Sequence, residues 1–454
     1  MSKTIKKMLA TLLGCGVALW STAHDSIAVQ HPTWTLQQCI ERAKQESLTL
    51  KRGRISVQQA QENVLNARDS RLPSVSFSTS QGLSYRPFQA STLTLNGDQV
   101  VSVNHKTSYS GNYGINASMP LYDGGKTKNT IRQQELNTQI AQLAVDASEM
   151  TLEEDITRTY VQILYAQEAI KQDQEQITLA EQQLTRSQAL FKAGLLNRAD
   201  VSQLESQLAT DRYQLVNDEM SRDDYKLQLK QMLELDGDYA LELADPQLTD
   251  DVLAPLPAKA DVYAAALALR PEIRSKQLSI DRSDIDIELA QASKRPTINA
   301  QASSSTNNSS GAGNMFSQLK DQWNNAIGVS VSVPIYDHRS TQHAVAKARL
   351  DKENARLEMA EAEKSLWKTI EAYWQQATSS QQRFIAAQEK VAAAQTSYEL
   401  TSEQFRLGLK NIIELTTDKT QLITAQQQML QAKYMAILNT ALLRYYAGQG
   451  ITIN

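Results

Sequence analysis

The sequence predicts a mainly α-helical protein with a small β part, built from one strand–strand–long-hairpin unit used twice. Three observations carry this. Residues 126–193 and 338–407 contain no Gly and no Pro. The stretch Phe191-Lys192-Ala193-Gly194-Leu195-Leu196-Asn197-Arg198-Ala199-Asp200 has a relative, Phe405-Arg406-Leu407-Gly408-Leu409-Lys410-Asn411-Ile412-Ile413-Glu414. Each has an aromatic residue, Gly three later, then Leu, Asn and an acid six past the Gly. Pro334 follows Pro120 by 214 residues and Gly408 follows Gly194 by 214, so both halves keep one register without insertion.

Each element then follows in order. Thr35 to Arg71 reads as helix, with Thr33 as N-cap before Leu36 and Ile40, ended by Pro73. Ser74 to Tyr85 alternates with period two and reads as a strand. Arg86 to Asn104 reads as a loop turning at Asn96-Gly97-Asp98. A second strand, alternating Tyr113, Ile115, Ala117 and Met119 with Asn112, Gly114, Asn116 and Ser118, stops at Pro120-Leu121-Tyr122-Asp123-Gly124-Gly125. The helix from Lys126 to Ala193 spans roughly 100 Å at about 1.5 Å per residue, far beyond a globular helix, so a tube or bundle must support it.

Its seam is heptad-spaced: Ile156, Ile163, Ile170, Ile177, Leu184 and Phe191, with Thr159, Ala166, Asp173, Ala180 and Ser187 three positions on. Gly194 bends the chain, because Gly alone takes positive φ without steric cost. A return helix with Val201, Leu208 and Leu215 runs to Asp236-Gly237-Asp238. A connector with Pro246, Pro255 and Pro257 follows, then a helix from Asp261 to Ala292 split or kinked at Pro271. Thr297 to Ser305 is the third strand, Thr306 to Gln322 a loop and Asn324 to Val333 the fourth strand. Pro334-Ile335-Tyr336-Asp337 leads into the second hairpin, bent at Gly408 and ending near Tyr446-Ala447-Gly448. Shifted by 214, the seam becomes Ile370, Ala377, Phe384, Val391, Tyr398 and Phe405, apolar throughout.

The resulting organisation is a segment at 1–23 and a first repeat at 24–236, with strands at about 73–120 and a hairpin at 126–236. A connector at 237–260 leads to a second repeat at 261–447, with strands at about 296–334 and a hairpin at 338–447, then a tail at 448–454. Residues 1–23 read as a secretory signal peptide: Lys3, Lys6 and Lys7, an apolar run from Met8 to Trp20, and Ser21-Thr22-Ala23 as cleavage site. Leu12-Leu13-Gly14-Cys15 offers the alternative of lipidation at Cys15. The apolar run continues past Cys15, which favours cleavage after Ala23. Downstream no run of 18 or more apolar residues occurs, so no transmembrane helix is expected.

Composition narrows the function. The net charge of −4 argues against a nucleic-acid binder. Two cysteines, Cys15 and Cys39, make no disulfide framework or zinc cluster, and no cofactor motif occurs. The five histidines (His24, His31, His105, His338, His343) lack metal-pair spacing. With no nucleophile–base–acid set and no phosphate loop, no enzyme is expected.

Strands with one apolar face and one Ser/Asn/Gly face suit a membrane barrel wall, lipid outside and water inside. A soluble four-stranded sheet over a helix layer is the alternative. Four strands cannot close a barrel; two chains give eight, nearly filled inside, and three give twelve with a pore.

The doubled Pro-Leu-Tyr-Asp-Gly-Gly and Pro-Ile-Tyr-Asp junctions, the two tip motifs and the opening Trp34-Thr35-Leu36-Gln37-Gln38-Cys39-Ile40 together resemble the outer-membrane efflux protein family, the TolC-like channel-tunnels. The likeness covers essentially the whole chain after residue 23. It implies a homotrimer in outer-membrane lipid, with a twelve-stranded transmembrane barrel and a helical tunnel across the periplasm. It also implies docking to a periplasmic adaptor (membrane fusion protein) and an inner-membrane pump of an efflux or type I secretion system.

The family pattern further implies roles for single residues. Glu414 occupies the place of a tunnel-constricting acid; three copies around an axis favour cations and bind divalent metal. The family's second acid position is Thr417 here, with Asp418, one residue on, as a further candidate for the constriction. Asp200 is the first-repeat equivalent, and in the family this acid bonds a Tyr where this chain has Phe405. An Arg of the family is Lys410 here, a point charge, which suggests an Asp200–Lys410 pair. Gly194, Leu195, Gly408 and Leu409 match adaptor-docking tips. Pro120, Tyr122, Asp123, Pro334, Tyr336 and Asp337 mark the strand–helix junctions. Glu414 as a solvated helix-start acid and the tips as bare turns are the plainer readings. A coiled-coil adaptor or a self-contained porin are rival functions; the first needs a compact β-rich domain and an inner-membrane anchor, the second at least eight strands in one chain.

Overall fold

A computed structural model describes residues 33–88, 92–96, 99–103, 106–244, 251–310 and 314–453. The signal-peptide and Cys15 readings lie outside these residues, as do His24, His31, His105, the Gly97-Asp98 turn and Pro246.

Two helices open the chain, α1 (Leu36–Glu46) and α2 (Leu48–Asp69). Thr35, not Thr33, is the N-cap, completing a reciprocal box with Gln38. The single helix read over Thr35 to Arg71 is broken at Ser47, whose ψ of 124° leaves the helical region. Glu234 satisfies the freed Leu48 amide at 3.1 Å.

The sheet comprises β1 (Ser74–Tyr85), β4 (Thr107–Tyr122), β5 (Thr297–Ser309) and β6 (Asn324–Ser332), antiparallel in the order β1-β4-β5-β6. Between β1 and β4 the expected loop contains a hairpin, β2 (Thr92–Asn96) with β3 (Gln99–Val103). The second strand passes through Pro120, where sequence placed its stop. A register shift between Pro120 and Tyr122 absorbs the missing N–H. The third strand likewise outlasts Ser305, because Asn307 and Asn308 keep their pairing with β4. The loop after it holds a short helix, α7 (Met315–Asp321), pinned to Ser309 through Gln318.

Register sorts the side chains into two faces. Phe77 pairs with Ile115, Ala117 with Ala302, Ala302 with Ile327, and Ala300 with Val329. The opposite face carries Ser76, Asn116, Ser303, Ser74, Ser118 and Gln301 in the same pairings. Among the described residues no helix layer covers the apolar side: Phe77 is 67% exposed and Ile327 91%. The soluble-sheet alternative required that cover. β1 and β6 are the outer strands of this sheet, each with one edge open.

The long helices are α3 (Lys126–Lys192) and α8 (Ser340–Arg406), 67 residues each, returning as α4 (Arg198–Met232) and α9 (Ile412–Tyr446), 35 each. Equal lengths in both halves match the shift of 214. On α3 the smaller residues, Thr159, Ala166, Asp173, Ala180 and Ser187, are buried along the whole seam. The larger ones are buried at Ile156, Ile163 and Ile170, half-buried at Ile177 and Leu184, and exposed at Phe191. Close helix approach is therefore set by the small side chains, while apolar burial thins toward the tip. α4 ends at Met232, short of Asp236-Gly237-Asp238, because Glu234 itself takes the left-handed conformation (φ 51°).

Two helices, α5 (Lys259–Leu269) and α6 (Pro271–Ala292), meet at Arg270 with Pro271 in the first helical position, which resolves the kink-or-split question as a split. The main core lies at this middle level. Leu36, Cys39, Ile40, Ile156, Tyr160, Leu229, Leu438 and Leu442 pack together there. Burial pushes the free Cys39 thiol up to about 12, so it stays protonated and behaves as a small apolar group. Trp34 closes the layer by pairing with the connector through Glu242 and Ala244.

Candidate functional site at the hairpin tips

Each tip is one reverse-turn device followed by one helix start. At the first, Gly194 sits at φ +74°, its amide donating to Phe191 (2.9 Å) and the next, Leu195, to Leu190 (2.9 Å). At the second, Gly408 sits at φ +77°, donating to Phe405 (3.0 Å), and Leu409 donates to Gln404 (2.9 Å). These paired bonds satisfy the last carbonyls of α3 and α8 and need a left-handed residue between them. Leu195 and Leu409 project at the apex, more than 70% exposed.

The return helices open with reciprocal caps. Asn197 accepts from the Asp200 amide (2.8 Å), and Asp200 accepts from the Asn197 amide (3.3 Å). Asn411 and Glu414 repeat this at 2.9 and 3.2 Å. The two acids read as entrance residues are therefore both third residues of capping boxes. Glu414 also holds Lys410 through its second oxygen, and that bond keeps its carboxyl below the usual carboxylate range. The Asp200–Lys410 pair expected from sequence does not form within the chain. Lys410 is one turn from Glu414, and the local partner wins.

Asp418, read as a constriction acid, is turned into its own hairpin. Its Oδ2 accepts from Thr401 (2.6 Å) and Ser397 (3.1 Å) on α8. Phe405, lacking a hydroxyl, packs with Leu184 and Tyr398 against Leu204, Ile412 and Leu415, which joins the two hairpins. Tyr398 accepts from Gln183 at 2.7 Å in the same joint.

Sequence reading missed a charged cluster further along the hairpins. Lys419 of α9 meets Asp211 of α4 at 3.2 Å, both side chains under 10% exposed. Asp173 of α3 is buried nearby, with Oδ2 lacking a hydrogen-bond partner. The signal was periodic: Lys419 falls between Leu415 and Leu422, and Asp211 between Leu208 and Leu215, both on core-facing spacing.

At the opposite ends of the long helices, the junctions share one cap. Asp123 receives the Thr127 amide (2.6 Å) and hydroxyl and the Gly125 amide (3.0 Å). Asp337 receives the Thr341 amide (2.9 Å) and hydroxyl. Pro120 and Tyr122 lie in β4, whereas Pro334 and Tyr336 lie just past β6. The next two residues differ in kind: Gly124 and Gly125 in the first repeat, His338 and Arg339 in the second, all at positive φ. Gly124 is fixed by space too, since a Cβ there would lie 2.8 Å from the Ala292 carbonyl oxygen and 2.9 Å from Arg295 Cβ. Gly124→Ala is expected to cost about 2–3 kcal/mol per protomer. Gly194→Ala, with open space around it, should cost about 1 kcal/mol. Thermal melts in detergent compare the two; equal losses would remove the packing argument.

Comparison with known proteins extends this picture. Residues 39–234 and 262–449 match the family described as "Outer membrane efflux protein". Outer membrane protein TolC of Salmonella enteritidis is 22% identical over 455 residues, 98% of this chain and 86% of its own. Outer membrane efflux protein BepC of Brucella suis is 23% identical over 363 residues, 78% and 72% respectively. Among solved structures, CusC superposes with a TM-score of 0.75 at 18% identity, covering 91% of this chain and 92% of that one. VceC of Vibrio cholerae gives 0.73 at 15%, covering 92% and 97%. Family match, duplicated hairpins and bare amphipathic sheet agree: the chain belongs to the outer membrane efflux protein family, placed in the outer membrane with its helical tunnel in the periplasm.

Proposed function

We propose that three copies of the chain close one barrel and one tube, forming a passive exit duct for substrates handed over by an inner-membrane pump through a periplasmic adaptor. The observation that carries this is incompleteness. One chain supplies four strands with both edges open and two antiparallel hairpins about 100 Å long whose apolar burial thins toward the tips. Twelve strands leave a water-filled lumen, lined here by the Ser, Asn and Gln face. The duct performs no chemistry in this reading. Leu195 and Leu409, apolar and exposed beside their glycines, are the adaptor-facing tips.

Glu414 sets the charge of the entrance, with Lys410 as its tether. Single-channel recording in planar bilayers tests both. Glu414→Gln should lower the cation-to-anion permeability ratio, and Lys410→Ala should raise it by leaving Glu414 uncompensated. A ratio unmoved by either change would remove Glu414 from the constriction. Recovery as a monomer from the outer-membrane fraction would defeat the duct itself.

A further inference from the structure

The strand–helix junctions carry backbone strain and cations that the duct itself does not use. The register brings all four strand ends to one end of the sheet: Tyr122 pairs with Ile298 and Thr297 with Ser332, and Ser74 meets β4 at Ser118. Each end carries cations. Arg71 precedes β1, Lys126 and Lys128 follow β4, Lys294 and Arg295 precede β5, and Arg339 follows β6. Directly beside them stand the exposed apolar residues Leu72, Tyr122, Ile335 and Tyr336, the edge of the lipid-facing band.

Two physical features of this collar run against the interest of the chain alone. The first 67-residue helix begins with Lys126 and Lys128, the second is preceded by Arg339, and neither has an acid in its first turn, where a helix N-terminus favours one. The second junction keeps His338 and Arg339 left-handed (φ 55° and 65°) where the first uses two glycines. His338 rests against the Tyr336 ring at 5.2 Å, but the Arg339 side chain has no hydrogen-bond or ion-pair partner among the described residues. Arg71, Lys126, Lys128 and Lys294 form no ion pair among those residues either. The nearby acids offset only part of this charge: Asp69, Asp123 and Asp337 face Arg71, Lys126, Lys128, Lys294, Arg295 and Arg339, and Glu135 is taken by Arg68. Backbone strain and an excess of unpaired cations at one end of the sheet point to an anionic partner outside the chain.

We infer that this collar, Arg339 above all, binds the phosphate headgroups of anionic phospholipid in the periplasmic leaflet of the outer membrane. The inference rests on the membrane placement of the sheet and is independent of how the tips dock. Charge complementarity selects the anionic headgroup, and the adjoining apolar band places acyl chains against Tyr336 and Ile335.

The second junction supplies its own test, because Arg339→Gly copies the conformation that Gly125 already adopts. The full-length protein is purified in neutral detergent and offered phosphatidylglycerol, phosphatidylcholine, lipopolysaccharide or inorganic phosphate. Bound lipid is read by mass spectrometry and stability by thermal melting. Phosphatidylglycerol retention should exceed phosphatidylcholine retention and fall about fivefold in Arg339→Gly. The melting temperature of that variant without lipid should hold or rise, which separates lost binding from lost folding. Lys126→Gln/Lys128→Gln should weaken retention likewise. Undiminished phosphatidylglycerol retention in Arg339→Gly, or equal retention of phosphatidylcholine, would overturn the inference. So would stabilisation by inorganic phosphate equal to that by lipid, which would leave a bare anion site. Lipopolysaccharide binding with the same Arg339 dependence would overturn the leaflet assignment. Channel conductance should be the same in wild type and Arg339→Gly; a wild type that retains phosphatidylglycerol but does not conduct would count against the duct reading and leave this inference standing.

Discussion

Arg270→Met is expected to destabilise each protomer by about 3–5 kcal/mol, because it strips the buried Glu154 carboxylate of its ion-pair partner. Arg270 sits at the break between α5 and α6, with its side chain 7% exposed, and donates to Glu154 of α3 at 2.9 Å. Its guanidinium lies 3.6 Å from the Tyr446 ring centroid and 5.4 Å from that of Tyr445, both on α9. Tyr373 of α8 and Tyr446 donate to the second Glu154 oxygen at 3.5 Å. One guanidinium thus ties the α5–α6 split to α3 and α9, and through Glu154 to α8, at the middle level where both repeats meet. Burial, reinforced by Glu154, pushes the Tyr446 phenol well above its ordinary range, so it remains a donor at any working pH. Arg270→Lys should also lose stability, since an ammonium can neither stack flat on Tyr446 nor fork. Denaturant or thermal unfolding in detergent measures the loss, and Arg270→Met/Glu154→Gln should recover much of it. If the double variant is as unstable as the single, the orphaned charge is not the cause.

Sequence carried the large elements because their signals are long. Two 67-residue segments without Gly or Pro, each ended by Gly at a tip, leave few alternatives to a helical hairpin. The alternation along Ile327, Val329 and Val331 fixed a strand and its faces. Short elements escaped for the converse reason. The β2–β3 hairpin and α7 are 5 to 7 residues each, too brief to show a period against polar surroundings. Pro120 misled because a strand tolerates proline at a register shift. At the tips the residue types were legible and their partners were not. Asp200 and Glu414 appear at one spacing after Gly because the capping box needs a side-chain acceptor there, which a carboxylate supplies. Sequence alone does not tell that Lys410 prefers Glu414, four residues on, to Asp200 across the tip. Asp173 was visible in the small-residue seam, yet its charge was passed over. Its meaning depends on Asp211, Asp218 and Lys419, which reach it from two other helices.

That cluster yields the second large effect, one that changes with pH. Burial, then the facing carboxylate of Asp218 and then the charge of Asp211, push Asp173 up to about 7. An acid raised in the folded state holds a proton that the unfolded chain has already released. Its contribution is present below about pH 4, where both states are protonated, and is lost as pH rises through 7. Wild-type protein should therefore lose about 2 kcal/mol per protomer from this group between pH 5 and 8, and Asp173→Asn should flatten that slope. Lys419 is the cation that offsets the acids, paired with Asp211 and almost fully buried. Lys419→Met leaves Asp211 without its ion-pair partner beside Asp173 and Asp218, with the phenols of Tyr165 and Tyr225 close by. The cost should be about 3 kcal/mol or more at pH 8. At pH 5 it should be clearly smaller, because protonated Asp173 no longer repels Asp211. Thermal melts of wild type, Lys419→Met and Asp173→Asn at the two pH values check this. Two outcomes are incompatible with the electrostatic account: a Lys419→Met loss independent of pH, which would mark mere cavity formation, or a wild type that gains stability between pH 5 and 8 while Asp173→Asn does not.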